Sequence, residues 1–579
     1  MSLERQEASG RYLHGIVDMG SNGIRFSVTD MSPDTARIMP TRYVDRAGIS
    51  LYDAQWSTGI QAPIPPEVIA DVVRAYQRFK NTCTDLGVPD ENVRIIGTEA
   101  TRLALNSEDF RAQIHNATGW TVEMLPKEEE GRVGAMGVVS SFSHIKGLMM
   151  DLGGGSTQIT WLEAENGQVR MSDAGSVSMP YGAAALNRRI QEANIAGGHA
   201  MKNFEEEVTN NLRDAVAKIE IPAEFLDSGK NPRGLDMHVS GGGFRGWGYV
   251  LMCQHPVQPY PCPIINGFEQ PAKNFENTSI VMATTANQDN IFRVSERRAS
   301  QVPAVALLVR CLCKALPAIT TVKFAQGGVR EGALFKDLPP EVKAEHPFVA
   351  ATKSSAPPSS TQLVSLIQST TPEDHKGRTI PEEISPQLLT AVAQSLYCFN
   401  HLPKDLQAAV ALRSTTTGVL AGTHGANHKE RAALAVILCE ASGGEGSLAP
   451  SDAQFYHLLC ELLEPSAAWW CKYYGKVAGV AAQVYPAGVV KDQKVSFTAK
   501  WDEHETKHDK KHGGLLHVTM DLGKDDPSIL QAEGLQKSIK GLHKLGKKKS
   551  WHKGEGGHHV TLVVNSGSGE SLPESHFEE

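Results

Sequence analysis

Asp151-Leu152-Gly153-Gly154-Gly155-Ser156-Thr157-Gln158 is the stretch that decides how this chain folds. The apolar residues Gly147–Asp151 before it and Ser156–Leu162 within and after it read as two strands, with three consecutive glycines between them. Each glycine costs ~0.5–1 kcal/mol relative to alanine in regular structure. The usual reason for glycines at a strand end is a backbone that a ligand must approach closely. The same pattern recurs upstream, where Asp18-Met19-Gly20-Ser21-Asn22-Gly23 joins the strand candidates Leu13–Asp18 and Ile24–Thr29. Residues 13–29 and 147–162 each give an apolar run, an Asp, then Gly and Ser. This degenerate repeat predicts two similar lobes around a cleft.

Small residues let backbone N–H groups close around phosphate oxygens. An Asp at a strand end can hold Mg²⁺ through water, because hard cations prefer carboxylate oxygen. The candidate metal residues are therefore Asp18 and Asp151. The candidate phosphate- or nucleotide-binding residues are Gly20, Ser21 and Asn22, then Gly153, Gly154, Gly155, Ser156 and Thr157. An ordinary turn with an Asx cap explains either loop alone, but not the pair. A third cluster, Ser240-Gly241-Gly242-Gly243-Phe244-Arg245, follows the strand candidate Asp236–Ser240. Gly241 and Gly242 there suit a nucleotide, a long phosphate chain or a helix-start turn.

Mixed strands and helices with glycine-rich strand ends indicate an α/β protein. A third strand is expected at Ala36–Val44, and a helix at Pro66–Leu86 with Pro66 in its first turn and Gly87 as its stop. A second helix is expected at Ser107–Ala117, capped by Ser107. The expected domains are lobe I at 1–135, lobe II at 136–345, a Ser/Thr/Pro-rich linker at 346–379 and a helical domain at 380–480. A small α+β domain at 481–565 and a disordered tail at 566–579 follow. Within the helical region, Asn427 and Glu430 read as a capping box.

At roughly 100–200 residues per domain, 579 residues predict three or four domains. Hydrophobic and charged contents of 41% and 21% are those of a globular protein with a large core. A net charge of −8 argues against general nucleic-acid binding. No apolar run approaches the ~20 residues that span a bilayer, and the polar start is not a secretory signal. The nine scattered cysteines read as reduced thiols of a cytosolic or nuclear protein.

The motifs occur in the order DMGSNG, RIIGTEATR, LPKEEEGR, DLGGGSTQ, SGGG, SERRA and GGVREGALF. That set resembles the exopolyphosphatase/guanosine pentaphosphate phosphohydrolase (Ppx/GppA) family of the actin–hexokinase–Hsp70 superfamily, over residues 14–335. The extra segments from Ser178 and over Gln254–Gln270 look like its fungal branch, which is associated with mitochondria-to-nucleus retrograde signalling. The resemblance implies two actin-like lobes around a phosphate-binding cleft. It implies Arg102 as a phosphate-gripping guanidinium and Glu130 as the carboxylate that activates the attacking water. Gln158 departs from the pattern, because hydrolytic members usually carry Glu there. An amide cannot ionise, and losing an acid/base group typically costs ~10²–10⁴ in rate.

The resulting expectation is a cytoplasmic regulator that binds a nucleotide or polyphosphate with Mg²⁺ and hydrolyses phosphoanhydrides weakly. Its expected partners are a regulatory protein and a second copy of itself in a homodimer, with no direct nucleic acid and no membrane. The alternative is a fully active exopolyphosphatase or nucleotide polyphosphate phosphohydrolase. Many relatives carry a metal-dependent His-Asp domain where residues 380–475 lie, but no such dyad occurs here, and Gly425 and Asn427 between His424 and His428 suggest a loop and a cap. His504, His508 and His512 have helical spacing within a charged, solvated run. The basic run Lys537–Lys553 reads as solvated surface.

Overall fold

The computed structural model describes residues 10–227, 229, 231, 233–287, 293–294, 296–375, 378–502, 514–523, 532–545 and 556–565. They form two compact units. The first takes in 1–255, 264–347 and 424–426.

Its first sheet contains β1 (Leu13–Gly20), β2 (Gly23–Asp30), β3 (Thr41–Ala47), β4 (Val93–Gly97) and β5 (Val122–Met124) in the order β3-β2-β1-β4-β5. Its second contains β6 (Ile145–Leu152), β7 (Thr157–Glu165), β8 (Gln168–Met171), β9 (Val177–Met179), β10 (Leu235–Gly241), β11 (Glu269–Pro271) and β12 (Ile319–Phe324). The order there is β11-β12-β10-β6-β7-β8, with β9 paired to β7. In each sheet an antiparallel hairpin, β1–β2 or β6–β7, is extended by parallel strands, β4 then β5 or β10 then β12. The repeat read in the sequence is thus a repeat of topology, and the lobes are actin-like. Asp18, Asp151 and Gly241 lie at or near the carboxyl ends of β1, β6 and β10, and ligands of α/β sheets bind beyond such ends.

The helix Pro66–Leu86 buries Ile69, Val72, Tyr76, Phe79 and Cys83, an i, i+3, i+4 stripe against the first sheet. Phe79 stacks on Phe26 of β2 at 4.5 Å. Gly87 stops the helix in the left-handed conformation (φ 73°), as expected. Two local expectations fail. Residues Ala36–Ile38 are a 3₁₀ turn, and β3 begins only at Thr41. The cause is Arg37, fully buried, which donates to the carbonyls of Ser140, Phe142 and Glu345 and fixes the turn. Ser107 is the first residue of its helix rather than its cap, and the cap position is Asn106. The Asn106 side chain bonds the backbone of Ile64 instead.

The helices Lys127–Ser140 and Val329–Phe335 pack at backbone distance, since a Cβ on Gly332 or Gly137 would enter the facing backbone. One core gathers Ile16 and Ile96 of the first sheet with Val133, Val138, Ala333 and Phe335.

The second unit takes in 256–263, 348–423 and the chain from 427 on. Its described elements include the helices Pro386–Ser395, Lys404–Arg413, His428–Ala441, Pro450–Glu461 and Pro465–Val484. They also include a sheet of β13 (Val495–Trp501), β14 (Leu515–Leu522) and β15 (His559–Asn565). The capping box forms: Asn427 Oδ1 accepts from Glu430 N (2.8 Å) and Glu430 Oε2 from Asn427 N (2.9 Å). Within 346–379, read as a linker, Ser360–Gln368 is a helix with Leu363 and Ile367 wholly buried. That i, i+4 apolar pair outweighs the flanking Ser, Thr and Pro. His504, His508, His512, the end of the basic run and the tail 566–579 lie outside the described residues. No helix is long and apolar enough to cross a membrane among the described residues. None of the nine cysteines forms a disulfide among the described residues, and Cys83, Cys262, Cys311, Cys439 and Cys471 are buried.

Candidate phosphate-binding cleft

The β1–β2 hairpin closes at Gly20↔Gly23, which places Ser21 and Asn22 at its tip. The β6–β7 hairpin pairs Asp151 with Gln158 and leaves the three glycines and Ser156 beyond the paired residues. Both tips face one cavity of the first unit. Its wall includes Asp18, Gly20, Ser21 and Asn22 from the first sheet, and Asp151, Gly153, Gly154, Gly155, Ser156 and Gln158 from the second. Gly241, Gly242 and Glu130 complete the sequence-derived set on the wall. Two members stand behind it. Thr157 is fully buried, and its hydroxyl donates to the Asp151 carbonyl (2.7 Å). Arg102 donates from Nη2 to Glu130 Oε2 (3.0 Å) and from Nη1 to the Leu125 carbonyl. Arg102 therefore orients Glu130 in this structure.

The glycines are explained partly by protein groups. A Cβ on Gly154 would collide with the Asn22 side chain, and one on Gly155 would lie 2.7 Å from Glu99 Oε2. The loop carbonyls of Gly153, Gly154 and Gly155 accept from Ala183, Ala184 and Gly182 N–H at 2.9–3.0 Å. They are thereby fixed to the start of the helix Ala183–Ala196. Gly241 sits at φ 93°, where its Cβ would enter the Leu152 carbonyl. It opens the helix Gly242–Cys253, which has no side-chain cap. The third cluster is thus a helix start on the cavity wall, and uncapped helix N–H groups attract anions.

Burial dominates the acids. It pushes Glu130 up to about 7, against the pull of Arg102, and Glu99 and Asp18 add to the rise. Burial also raises Asp18, opposed by Arg25 and Arg330, and raises Asp151, opposed by the Ser240 hydroxyl and Arg25.

Residues 36–341 match the Ppx/GppA phosphatase family. The chain belongs to that family. Residues 346–568 match the RTG2 C-terminal domain. The chain is 38% identical over 521 residues to Retrograde regulation protein 2 of Saccharomyces cerevisiae, covering 86% of each. It is 41% identical over 73 residues to a guanosine-5'-triphosphate,3'-diphosphate pyrophosphatase of Photobacterium profundum, covering 12% of this chain and 15% of that one. A crystal structure of the Aquifex aeolicus Ppx/GppA family member aligns at 20% identity and TM-score 0.43, over 56% of this chain and 97% of that one.

Sequence reading missed much of the charge on the wall of this Ppx/GppA cleft. Arg25, Glu99, Arg245, Arg330 and Glu331 all line it. Arg25 stands directly across β1–β2 from Asp18, a pairing that hairpin register alone would have revealed. Arg245 and Arg330 lie inside quoted motifs that were read for their glycines. Arg245 is held down to about 10 by burial and by Arg25 and Arg298, and its buried Nε has no hydrogen-bond partner among the described residues. Glu331 stays below the usual carboxylate range despite burial, because Arg330 (3.3 Å), His424 and the Gly328 N–H (3.0 Å) favour its charged form.

No three Asp, Glu, His or Cys side chains stand close enough to enclose a metal ion among the described residues. That donor set still fits Mg²⁺, which keeps several waters and takes one or two carboxylates plus phosphate oxygens. Asp18 and Asp151 are among the wall carboxylates that could supply those oxygens.

Proposed function

We propose that this protein is a retrograde regulator, acting between mitochondria and nucleus, whose cleft binds a nucleotide or polyphosphate with Mg²⁺ and hydrolyses the phosphoanhydride slowly. The observation that carries this is the convergence of both Asp–glycine loops and Glu130 on one cavity. The 38% identity to Retrograde regulation protein 2 over 86% of both chains supports the regulatory half.

Phosphates rest against the N–H groups of the two hairpin tips and the uncapped helix start at Gly242. Mg²⁺ held by Asp18 and Asp151 would supply positive charge against the phosphate oxygens. Glu130 takes the proton of the attacking water, and a pKa near 7 suits that task near neutral pH. Arg102 keeps that carboxylate aimed. Gln158 accepts a hydrogen bond but carries no charge, which slows the step without preventing binding. The ligand favours the closed lobes only through its differential affinity for them. A partner protein in the cytoplasm reads that closure, without contact to nucleic acid or membrane.

The near-neutral Glu130 favours a second reading, a fully active exopolyphosphatase or nucleotide polyphosphate phosphohydrolase. Titrating the protein with ATP and with polyphosphate in Mg²⁺, while following phosphate release, separates the two. Tight binding with slow release supports the regulator. Release as fast as that of a dedicated phosphatase replaces it with the enzyme.

A further inference from the structure

Two acids on the cleft wall are engaged: Glu130 is held by Arg102, and Glu331 by Gly328 N and Arg330. Glu99, like Asp18, has a carboxylate that makes no hydrogen bond and no ion pair among the described residues. It opens the single helical turn Glu99–Arg102 at the carboxyl end of β4. From there its carboxylate reaches the second lobe. Glu99 Oε2 lies 2.7 Å from the point where a side chain on Gly155 would begin, so the bare glycine is what admits it.

Gln158 follows the same loop on β7, and its Nε2 lies 3.5 Å from Ser156 Oγ. Both residues line the cavity. The field of Glu99 reaches the centre of the site, where its charge helps to raise Glu130.

We propose that Glu99 supplies, from the opposite lobe, the negative charge that the neutral amide at Gln158 withholds from the cation-and-phosphate site. The inference rests on reading the cleft as a Mg²⁺–phosphate site. It makes residues 99 and 158 alternative sources of one charge, so their substitutions are not additive. It also ties cation binding to lobe closure, because Glu99 meets the second loop only across the cleft.

The test uses the full chain. Binding of ATP and of tripolyphosphate is measured over a series of Mg²⁺ concentrations, and Mn²⁺ alone is titrated by water proton relaxation. Glu99→Gln should raise the Mg²⁺ needed for half-maximal binding by about tenfold, since charge count tunes the affinity of oxygen sites for hard cations. Glu99→Asp should fall between the two. Gln158→Glu should restore the requirement in the Glu99→Gln background and change it little in the native one. An unchanged Mg²⁺ requirement and unchanged Mn²⁺ affinity in Glu99→Gln overturn the proposal while leaving the cleft's function intact. So does a Gln158→Glu effect that is equal in both backgrounds. If neither phosphate compound binds but Mn²⁺ affinity depends on Glu99, the proposed function falls and the role of Glu99 stands. If the native chain binds no metal and neither compound, both fall.

Discussion

Glu130 in the cleft and Glu440 in the second unit are both deeply buried, yet their pKa values move in opposite directions. Glu130 is pushed up to about 7, because a single arginine does not offset its desolvation. Glu440 is held below its ordinary value by Lys476 at 2.5 Å, the Tyr456 hydroxyl at 2.6 Å and the nearby Lys472. Arg431 in the second unit donates from Nη1 and Nη2 to the carbonyls of Thr415, Leu420, Ala421 and Thr423. A buried charge that the protein fully compensates holds structure together. One left partly uncompensated is free to exchange a proton or meet a ligand.

The comparison breaks most sharply at Glu130. Glu130→Gln should cut phosphate release by ~10²–10⁴, the range of an acid/base group, while leaving ligand affinity by calorimetry nearly as it was. An equal loss of affinity would make Glu130 a ligand contact instead of the base. Lys476→Met should do the reverse. Leaving Glu440 buried without its cation should cost the second unit ~3–5 kcal/mol, read by denaturant unfolding, with phosphate release per folded molecule unchanged. Adding Glu440→Gln to that variant should recover much of the loss.

A third outcome concerns Gln158. If the amide limits hydrolysis, Gln158→Glu should raise phosphate release by about tenfold at saturating Mg²⁺ and ligand, within the reach of acid/base groups. The smallest effect is on pH. Glu130 acts as a base only when ionised, so release should climb as pH rises through about 7 and then level. Arg102→Met removes the group that lowers this pKa and should move the rising limb to higher pH. The linkage has a definite sign. A carboxyl raised on folding binds more protons in the folded state, so its contribution to stability declines as pH climbs from the ordinary carboxylate range to about 7. Thermal unfolding of Glu130→Gln should lack that decline.

The fold was largely legible, and for local reasons. Two Asp–glycine turns between apolar runs name two hairpins, and the structure repeats one strand order around them. The helix Pro66–Leu86 was marked by its own proline, glycine and apolar spacing. The linker reading over 346–379 failed because composition was weighed above the Leu363–Ile367 pair. The cleft was half legible: its glycines and two aspartates stood in motifs, whereas Arg25 and Glu99 each sat in a quoted or adjoining segment with nothing in their neighbours to mark them.

The sequence by itself determined the duplicated hairpins, the glycine-bearing strand ends and the amide at Gln158, because each is written in residues within a few positions of one another. Only the tertiary structure decided that Gly155 makes room for Glu99, that Arg102 turns to Glu130, and that Glu130 rises while Glu440 falls. Those outcomes depend on which groups meet across the fold and how much water each loses, and no local pattern carries that information.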